Sequence, residues 1–421
     1  MTPRAFLLSC VLCILPATQD ELDSQVRTVL ADPVANKALI ESISKRPIAE
    51  IEKAIRGSRR YESKPAGLVK DKAKNAFEAG VTVEYQLWVP EHDAAKRYPL
   101  LVSLHGQHGT ADGAMRLWLE EVKKEEGLFL LAPDAAKGGW GRSRVGFASV
   151  QAVIRDAIEK WPIDPLRVYV DGASMGGNGS FQFAYMFPDL VAAAAPRAGG
   201  PEFFKDEKDP KLARPRFLQN LRNTPVYWIV GVKDEKVPID WVRAAKAKAD
   251  ELKLDLVYRE MEGGHEWFPQ ESPKVLEWLR GRTRDPYPKR VEWMTHERIW
   301  NRVAWIEITG FSKEAQEVWK RTYVDLENKP LEERLHFVHP VEIKAEVDRE
   351  KNVIRVTSKF VTELRVYVSD AMLDLDKEIS VTVNGTTTKK KVTRSASVLL
   401  ESAVRSREQL FAATIDVKVS K

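Results

Sequence analysis

The chain has 421 residues, of which 30% are charged, and its formal net charge at pH 7 is +5. This length exceeds what one hydrophobic core usually fills, so we expect two domains. The 66 Lys and Arg residues are interspersed with 61 Asp and Glu residues instead of forming a basic stripe, which argues against nucleic acid as a partner.

Residues 1–17 have the pattern of a secretory signal peptide. Arg4 supplies a basic start, and residues 5–15 form an apolar run that small and polar residues follow. A membrane span needs about 20 apolar residues, so this run predicts no stable membrane span. Cleavage would make the mature protein secreted or periplasmic. It would also remove Cys10 and Cys13, which leaves neither a disulfide nor a thiol nucleophile.

Residues 18–75 are predicted to form an N-terminal helical arm. Ile48, Ile51 and Ile55 share one face of a helix among charged neighbours, which is the pattern of a helix packed on one side. We assign no chemistry to this arm.

Residues 76–284 alternate between strands and helices, which is typical of a doubly wound, mainly parallel sheet that is covered on both faces. The predicted strands are Val83–Val89, Pro99–Leu104, Leu128–Ala132, Arg167–Val170, Val191–Ala195, Val226–Val230 and Leu256–Met261. The predicted helices include residues 117–122, 149–161, 180–187 and 241–252.

A serine flanked by glycines follows the strand Arg167–Val170. Gly172 and Gly176 lie two residues before and after Ser174, the spacing of a nucleophile elbow, in which a sharp turn exposes the serine hydroxyl. The pattern alone is weak because glycine and serine are common in ordinary loops. A strand before it and a helix after it favour the elbow over a structural turn.

The ends of two later strands carry partners for such a serine. Ligands of doubly wound sheets bind beyond the carboxyl ends of the strands, where Asp234 and His265 lie. A serine hydroxyl needs a base, and the base works best when a carboxylate orients it. Ser174, Asp234 and His265 follow the chain order nucleophile, acid, histidine. Taken singly, Asp234 could be a turn residue and His265 a loop histidine; Glu235 replaces Asp234 if the loop is shifted by one residue.

The strand Pro99–Leu104 is followed directly by His105, Gly106 and Gln107. Gly106 allows the backbone amide of Gln107 to turn toward the crevice, where it and the Met175 amide would form an oxyanion hole. We expect the His105 side chain to pack or to bond the loop rather than to act as a base. The role of His108 stays open.

Four motifs together resemble the secreted esterase branch of the α/β-hydrolase superfamily: Leu104–Gly106, Asp164–Val170, Gly172–Gly177 and Gly264–Trp267. This branch contains polyhydroxybutyrate-depolymerase-like and feruloyl-esterase-like proteins, and it is close to predicted prolyl-oligopeptidase-type peptidases. The resemblance covers about Val81 to Arg282, and its motifs are specific for superfamily and mechanism but not for substrate.

The resemblance implies an α/β-hydrolase fold with Ser174 as nucleophile, Asp234 as acid and His265 as base. It also implies that the amides of Gln107 and Met175 stabilise the oxyanion and that no metal or organic cofactor takes part. The sequence departs from the family at Glu266, beside the base, where members vary; this leaves the polarity of the pocket open.

Two loops are expected to shape the pocket, Lys137–Phe147 and Phe203–Arg222. Trp140 and Trp267 are candidates for stacking on an aromatic or sugar ring, and Arg142 is a candidate for binding a carboxylate or phosphate. Each of the three is interpreted equally well as a packed loop residue or a solvated charge.

Beyond a proline-rich linker at Asp285–Pro288, residues 285–421 alternate with period two, which predicts a small all-β, sandwich-like domain. Asn384-Gly385 is typical of a hairpin turn, and Lys389–Lys391 of a solvated strand edge. The tryptophans of this region suggest a carbohydrate platform or, as we favour, interface core. They are Trp293, Trp300, Trp305 and Trp319.

The sequence thus predicts a secreted serine hydrolase that cleaves small-molecule or polysaccharide-linked carboxylic esters. A serine peptidase of prolyl-oligopeptidase type is the alternative with the same chemistry. A glycan- or partner-binding protein without catalytic activity is the alternative of another class.

Overall fold

The computed structural model describes residues 18–32, 36–74, 81–135, 139–140, 144–205, 213–315, 317–324, 329–337 and 339–419. The chain forms two compact units. The smaller unit consists of the chain up to Arg60 with Arg394–Leu410, and the larger unit consists of Tyr61–Thr393 with Phe411–Lys421. The predicted signal peptide lies outside the described residues, and within the described ranges no helix is long and apolar enough to cross a membrane.

The smaller unit is helical. It contains α1 (Gln19–Ala31), α2 (Lys37–Ile43), α3 (Ile48–Arg56) and, from late in the chain, α9 (Ala396–Arg405). Thr18 caps α1 because its hydroxyl accepts a hydrogen bond from the amide of Glu21. Apolar side chains at helical spacing form the core: Leu22, Val26, Val29, Ile51, Ile55, Leu399 and Leu400.

The helical unit differs from the predicted helical arm at two places in the sequence. The helices of the arm end at Arg56, and strand β1 (Gly67–Lys74) already belongs to the large sheet, before the predicted start at residue 76. Most side chains of β1 are partly or fully exposed, so its sequence carries charges instead of an apolar alternation. The region 285–421 in turn supplies α9, whose apolar face packs in the helical core.

The larger unit contains an eight-stranded mixed sheet in the order β1-β2-β4-β3-β5-β6-β9-β10. Strand β2 is antiparallel to both neighbours, and the strands from β4 to β10 along this order run parallel. The strands after β1 are β2 (Thr82–Val89), β3 (Tyr98–Leu104), β4 (Phe129–Pro133), β5 (Ile163–Ala173), β6 (Ala193–Arg197), β9 (Val226–Gly231) and β10 (Leu256–Met261). A separate hairpin of β7 (Phe203–Lys205) and β8 (Ala213–Pro215) follows β6.

Helices cover both faces of the sheet, as predicted. They are α4 (Ala111–Val122), α5 (Arg144–Lys160), α6 (Met175–Met186), α7 (Ile239–Glu251) and α8 (Ser272–Arg280), with 3₁₀ turns at Leu218–Asn223 and Pro269–Glu271. Strand β9 shows why its sequence is a continuous apolar run. Trp228 packs in the same core as α6 and α7, whereas its neighbour Ile229 packs in the same core as α4 and α8.

The rest of the larger unit is an all-β region of two main sheets, β11-β16-β17-β19-β20 and β12-β13-β18-β21, with a hairpin of β14 and β15. Along β16, buried side chains alternate with partly or fully exposed ones, which confirms the predicted sandwich-like domain. The strands are β11 (Arg290–Thr295), β12 (Arg302–Val303), β13 (Ile306–Phe311), β14 (Glu317–Val324), β15 (Pro330–Phe337), β16 (Val341–Asp348), β17 (Val353–Lys359), β18 (Val361–Val368), β19 (Ile379–Val383), β20 (Thr386–Lys390) and β21 (Ala413–Lys418).

Local features of the all-β region also agree with the sequence. Asn384 and Gly385, both with positive φ, connect β19 to β20 in the expected hairpin. Trp293 and Trp305 are buried, and Trp300 packs edge-on against Phe147 and Phe187 of the mixed-sheet region. These three tryptophans therefore form core and interface contacts; the side chain of Trp319 lies outside the described part.

Candidate active site

Ser174 lies at the turn from β5 to α6 and has a φ of 58°, which is unusual for any residue except glycine. The turn has no room for side chains on either side. A Cβ on Gly172 would lie 2.5 Å from the backbone of Gly176, and a Cβ on Gly176 would lie 1.9 Å from the carbonyl oxygen of Leu104. The amide of Ser174 donates a 3.0 Å hydrogen bond to the carbonyl oxygen of Arg197 at the end of β6. The flanking glycines are thus required by the close approach of β3 and α6.

His265 connects the serine to a carboxylate. Its Nε2 lies 2.7 Å from Ser174 Oγ, and its Nδ1 lies 2.8 Å from Asp234 Oδ2. Because a carboxylate only accepts hydrogen bonds, the Nδ1 proton is donated to Asp234, which leaves Nε2 free to accept the serine proton. The structure therefore brings the three predicted residues into one hydrogen-bonded chain.

Backbone hydrogen bonds hold Asp234, and not Glu235, in position to face His265. The second carboxylate oxygen of Asp234, Oδ1, accepts hydrogen bonds from the amides of Lys236 and Val237 at 2.8 and 2.9 Å. Its side chain is only 2% exposed, whereas Glu235 is exposed. One oxygen thus anchors the loop while the other orients the imidazole of His265.

The two predicted oxyanion donors flank the serine. Met175 is the first residue of α6, so its amide has no partner within the helix. Gln107 is the second residue of a turn closed by a 3.0 Å bond from the Gly109 amide to the Gly106 carbonyl oxygen, so the turn does not use the Gln107 amide. A Cβ on Gly106 would lie 3.7 Å from the Cβ of Ser174, which places the Gln107 turn directly beside the nucleophile.

His105 is a buried part of this turn. Its Nε2 accepts a 3.1 Å hydrogen bond from the amide of Ala135, and its Nδ1 bonds the carbonyl oxygen of Gly106 at 2.7 Å. These partners require a neutral ring with the proton on Nδ1. Burial also lowers the pKa of His105. The side chain therefore supports the turn, as the sequence indicated, and the exposed His108 has a φ of 61° at the turn's tip.

The three candidate substrate-binding residues differ in their surroundings. Trp140 is 2% exposed, and its indole nitrogen donates to the carbonyl oxygen of His105 at 2.7 Å, so its ring supports the turn instead of facing a pocket. Trp267 is half-buried, and the guanidinium of Arg197 covers one face of its ring at 4.1 Å. Arg142 lies outside the described residues. Glu266 is exposed and accepts a hydrogen bond from the Gly264 amide.

A buried ion pair below the elbow was not foreseen. Asp171 and Arg197 are both 0% exposed and are joined by a 3.1 Å hydrogen bond. Burial raises the pKa of Asp171 and lowers the pKa of Arg197, and each group opposes the shift of the other. The sequence signal was an arginine two residues after the apolar run Val191–Ala195, but the residues it contacts are distant in the sequence.

The strand order, the antiparallel β2 and the elbow between β5 and α6 define an α/β-hydrolase fold, which confirms the fold that the motifs implied. No family model matches the sequence, and no curated protein matches it. Across the described residues, no group of three or more His, Cys, Asp or Glu side chains could hold a metal ion.

Several solved structures are similar to part of the chain. A thermostable esterase is 25% identical, with a TM-score of 0.42, over 52% of this chain and 63% of the esterase, which is less than two thirds of its length. S-formylglutathione hydrolase from Staphylococcus aureus is 16% identical, with a TM-score of 0.42, over 51% of this chain and 99% of that enzyme. Acylaminoacyl peptidase from Pyrococcus horikoshii is 13% identical, with a TM-score of 0.43, over 53% and 42%.

Proposed function

We propose that this protein is a secreted serine hydrolase that cleaves carboxylic esters through an acyl-enzyme on Ser174. One observation carries the proposal: Ser174 Oγ, the His265 imidazole and the Asp234 carboxylate form a continuous chain with distances of 2.7 and 2.8 Å. Hydrogen bonds of this length link nucleophile to base and base to carboxylate in serine hydrolases. The chain ends on a serine held in a strained turn, as such nucleophiles are.

In the first half of the reaction, Ser174 Oγ attacks the carbonyl carbon of the ester while its proton passes to His265 Nε2. The carbonyl π electrons move to the oxygen, and this oxyanion accepts hydrogen bonds from the amides of Met175 and Gln107. Asp234 stabilises the imidazolium that forms. When the tetrahedral intermediate collapses, the bond to the leaving oxygen breaks, and His265 returns its proton to the departing alcohol.

In the second half, water takes the place of the alcohol. His265 Nε2 accepts a proton as the water oxygen attacks the acyl carbon, and the same two amides receive the oxyanion. The bond to Ser174 Oγ then breaks, and His265 protonates the serine. The carboxylic acid leaves, and the enzyme returns to the arrangement that the structure shows.

The finer parts of the proposal rest on the sequence. The four motifs resemble secreted esterases, which supports an ester substrate, either a small molecule or an ester linked to a polysaccharide. The pattern of residues 1–17 supports export. Either expectation, the ester substrate or the export, can prove wrong without affecting the mechanism at Ser174.

A fluorophosphonate probe tests the mechanism because it reacts covalently with activated serines. We expect the wild-type protein to be labelled on Ser174, as mapped by peptide mass spectrometry, and Ser174→Ala to be unlabelled. The substitution should leave the thermal unfolding midpoint nearly unchanged because no core volume is lost. Turnover should fall by roughly 10⁴-fold or more. Labelling of another residue, or near wild-type turnover in folded Ser174→Ala protein, would contradict the mechanism.

A substrate panel tests the specificity. Aryl esters, feruloyl and acetyl sugars and Xaa-Pro amides share the same triad chemistry but need differently shaped pockets. We expect ester cleavage with little amide cleavage. Preferential cleavage of the Xaa-Pro amides would identify a peptidase instead, and a protein without labelling or turnover would be the non-catalytic binding protein.

A further inference from the structure

The side chain of Arg197 is the centre of a buried cluster beside the elbow. Its guanidinium lies between the rings of Trp118 and Trp267, with 4.7 and 4.1 Å from its central carbon to the ring centroids. Its Nε donates to Asp171 Oδ2, and the other oxygen of this carboxylate accepts from the indole nitrogen of Trp118 at 2.8 Å. The cluster thus joins α4, β5 and β6 through one cation.

The same guanidinium also holds the chain just after the histidine. Its Nη1 donates to the carbonyl oxygens of Trp267 and Phe268, each at 3.2 Å, and to the hydroxyl of Ser272 at 3.1 Å. Phe268 has a φ of 55°, a conformation that costs free energy in a residue with a Cβ and therefore needs support from its surroundings. The two carbonyl oxygens lie two and three residues after His265.

The backbone of Arg197 contacts the nucleophile as well, because its carbonyl oxygen accepts the hydrogen bond from the Ser174 amide. One residue therefore bonds the nucleophile turn through its main chain and the histidine loop through its side chain. The distance between Ser174 Oγ and His265 Nε2 depends on the relative position of these two segments.

We propose that Arg197 is a positioning residue that, with Asp171 and Trp118, holds the His265 loop at hydrogen-bonding distance from Ser174. This inference rests on the proposed hydrolase function. Because a cation and a carboxylate lose their hydration when buried, such a pair is a weak source of stability. In addition, Arg197 Nη2 is buried without a hydrogen-bond partner among the residues that the structure describes. Loop placement explains the cluster better than stability does.

The test separates position from stability with the double variant Asp171→Asn/Arg197→Met. Asn keeps an oxygen acceptor for the Trp118 indole, and Met fills the space between the two rings with an unbranched thioether that packs well on aromatic rings. Replacing both charges avoids leaving one of them buried and unpaired, so the protein should fold. We expect the rate of fluorophosphonate labelling and kcat for an aryl ester to fall by about 10²-fold, with KM little changed.

Arg197→Lys is the second variant. Lysine retains the charge for Asp171, but a single ammonium cannot reproduce the planar fork that reaches both Asp171 and the two carbonyl oxygens. The labelling rate should therefore fall in this variant too. This variant tests the proposal even if the double variant does not fold.

Arg302→Met is the matched control. It removes another arginine that stacks on an aromatic ring, since the central carbon of the Arg302 guanidinium lies 3.7 Å from the ring centroid of Tyr367, and both residues belong to strands of the all-β region. It should lower the unfolding midpoint and leave the labelling rate of the folded protein unchanged.

A folded double variant, or a folded Arg197→Lys variant, that labels and turns over at the wild-type rate would overturn the positioning role. Absence of Ser174 labelling in the wild-type protein would instead overturn the hydrolase function, so the two failures are distinguishable.

Discussion

The loops that follow β3 and β10 each place a histidine beside Ser174, and the two histidines differ in what their ring nitrogens meet. Both nitrogens of His105 bond backbone groups, the carbonyl oxygen of Gly106 and the amide of Ala135. Both nitrogens of His265 meet side chains, the Asp234 carboxylate and the Ser174 hydroxyl. His105 is buried, whereas His265 retains 19% exposure.

This difference shows how partners determine the role of a histidine at a strand end. A ring that is neutral, buried and bonded on both sides to the main chain stiffens the turn that presents the Gln107 amide. A ring with a carboxylate on one side and a hydroxyl on the other can accept a proton and be stabilised as a cation. Each loop follows a strand and contains a histidine, so residue type and the location in a loop after a strand do not separate the two roles.

Asp234→Asn removes the feature that distinguishes His265 from His105. The Asn amide can donate toward His265 Nδ1, which favours the tautomer with its proton on Nε2. In this tautomer Nε2 cannot accept the serine proton. We expect ester turnover at neutral pH to fall by roughly 10²- to 10⁴-fold with little change in packing.

Glu235→Gln is the matched control because Glu235 is adjacent and exposed. Its turnover should fall far less. A larger loss for Glu235→Gln than for Asp234→Asn would mean that the neighbouring carboxylate orients the base.

His105→Phe tests whether the other histidine only supports its turn. The aromatic ring retains its volume beside Trp140, but the partly buried Ala135 amide loses its partner, while the Gly106 carbonyl oxygen keeps only its bond from the Gly109 amide. An unsatisfied buried polar group costs about 1–3 kcal/mol, so the free energy of unfolding in urea should fall by up to this amount. Turnover should fall by no more than roughly 10²- to 10³-fold, the cost of one displaced oxyanion donor. Loss of turnover as complete as in Ser174→Ala would give His105 a direct role in the reaction.

The sequence was sufficient to predict the parts of the fold and of the site that local patterns determine. Apolar runs predicted the parallel strands, and the spacing of Gly172, Ser174 and Gly176 predicted the turn because sterics allow few other residues there. The order of strand ends brought Asp234 and His265 to the same edge. Whether Asp234 or Glu235 faces the imidazole depends on two backbone amides, which no spacing rule specifies.

Features that depend on tertiary contacts could not be predicted from the sequence. Arg197 bonds Asp171, 26 residues earlier, and Ser272, 75 residues later, so no local pattern marks it. Trp140 was a candidate for stacking on substrate, and only its bond to the His105 carbonyl oxygen shows that its ring is enclosed. Strand β1 was missed because a mostly exposed edge strand carries charges on both sides.

The pH dependence of stability provides the finest test of the difference between the loops. Burial lowers the pKa of His105 from its ordinary value of 6.5, and burial together with the charge of Arg216 lowers the pKa of His296 to about 3. Below about pH 6.5 the unfolded chain therefore binds protons that the folded protein does not, so stability is lost as the pH falls below this value. We expect the free energy of unfolding to decrease between about pH 7.5 and about pH 5 in the wild-type protein, and to decrease less in His105→Phe. If His105→Phe and the wild-type protein have the same pH dependence in urea unfolding, then His105 is not held neutral by the turn, and the contrast with His265 fails.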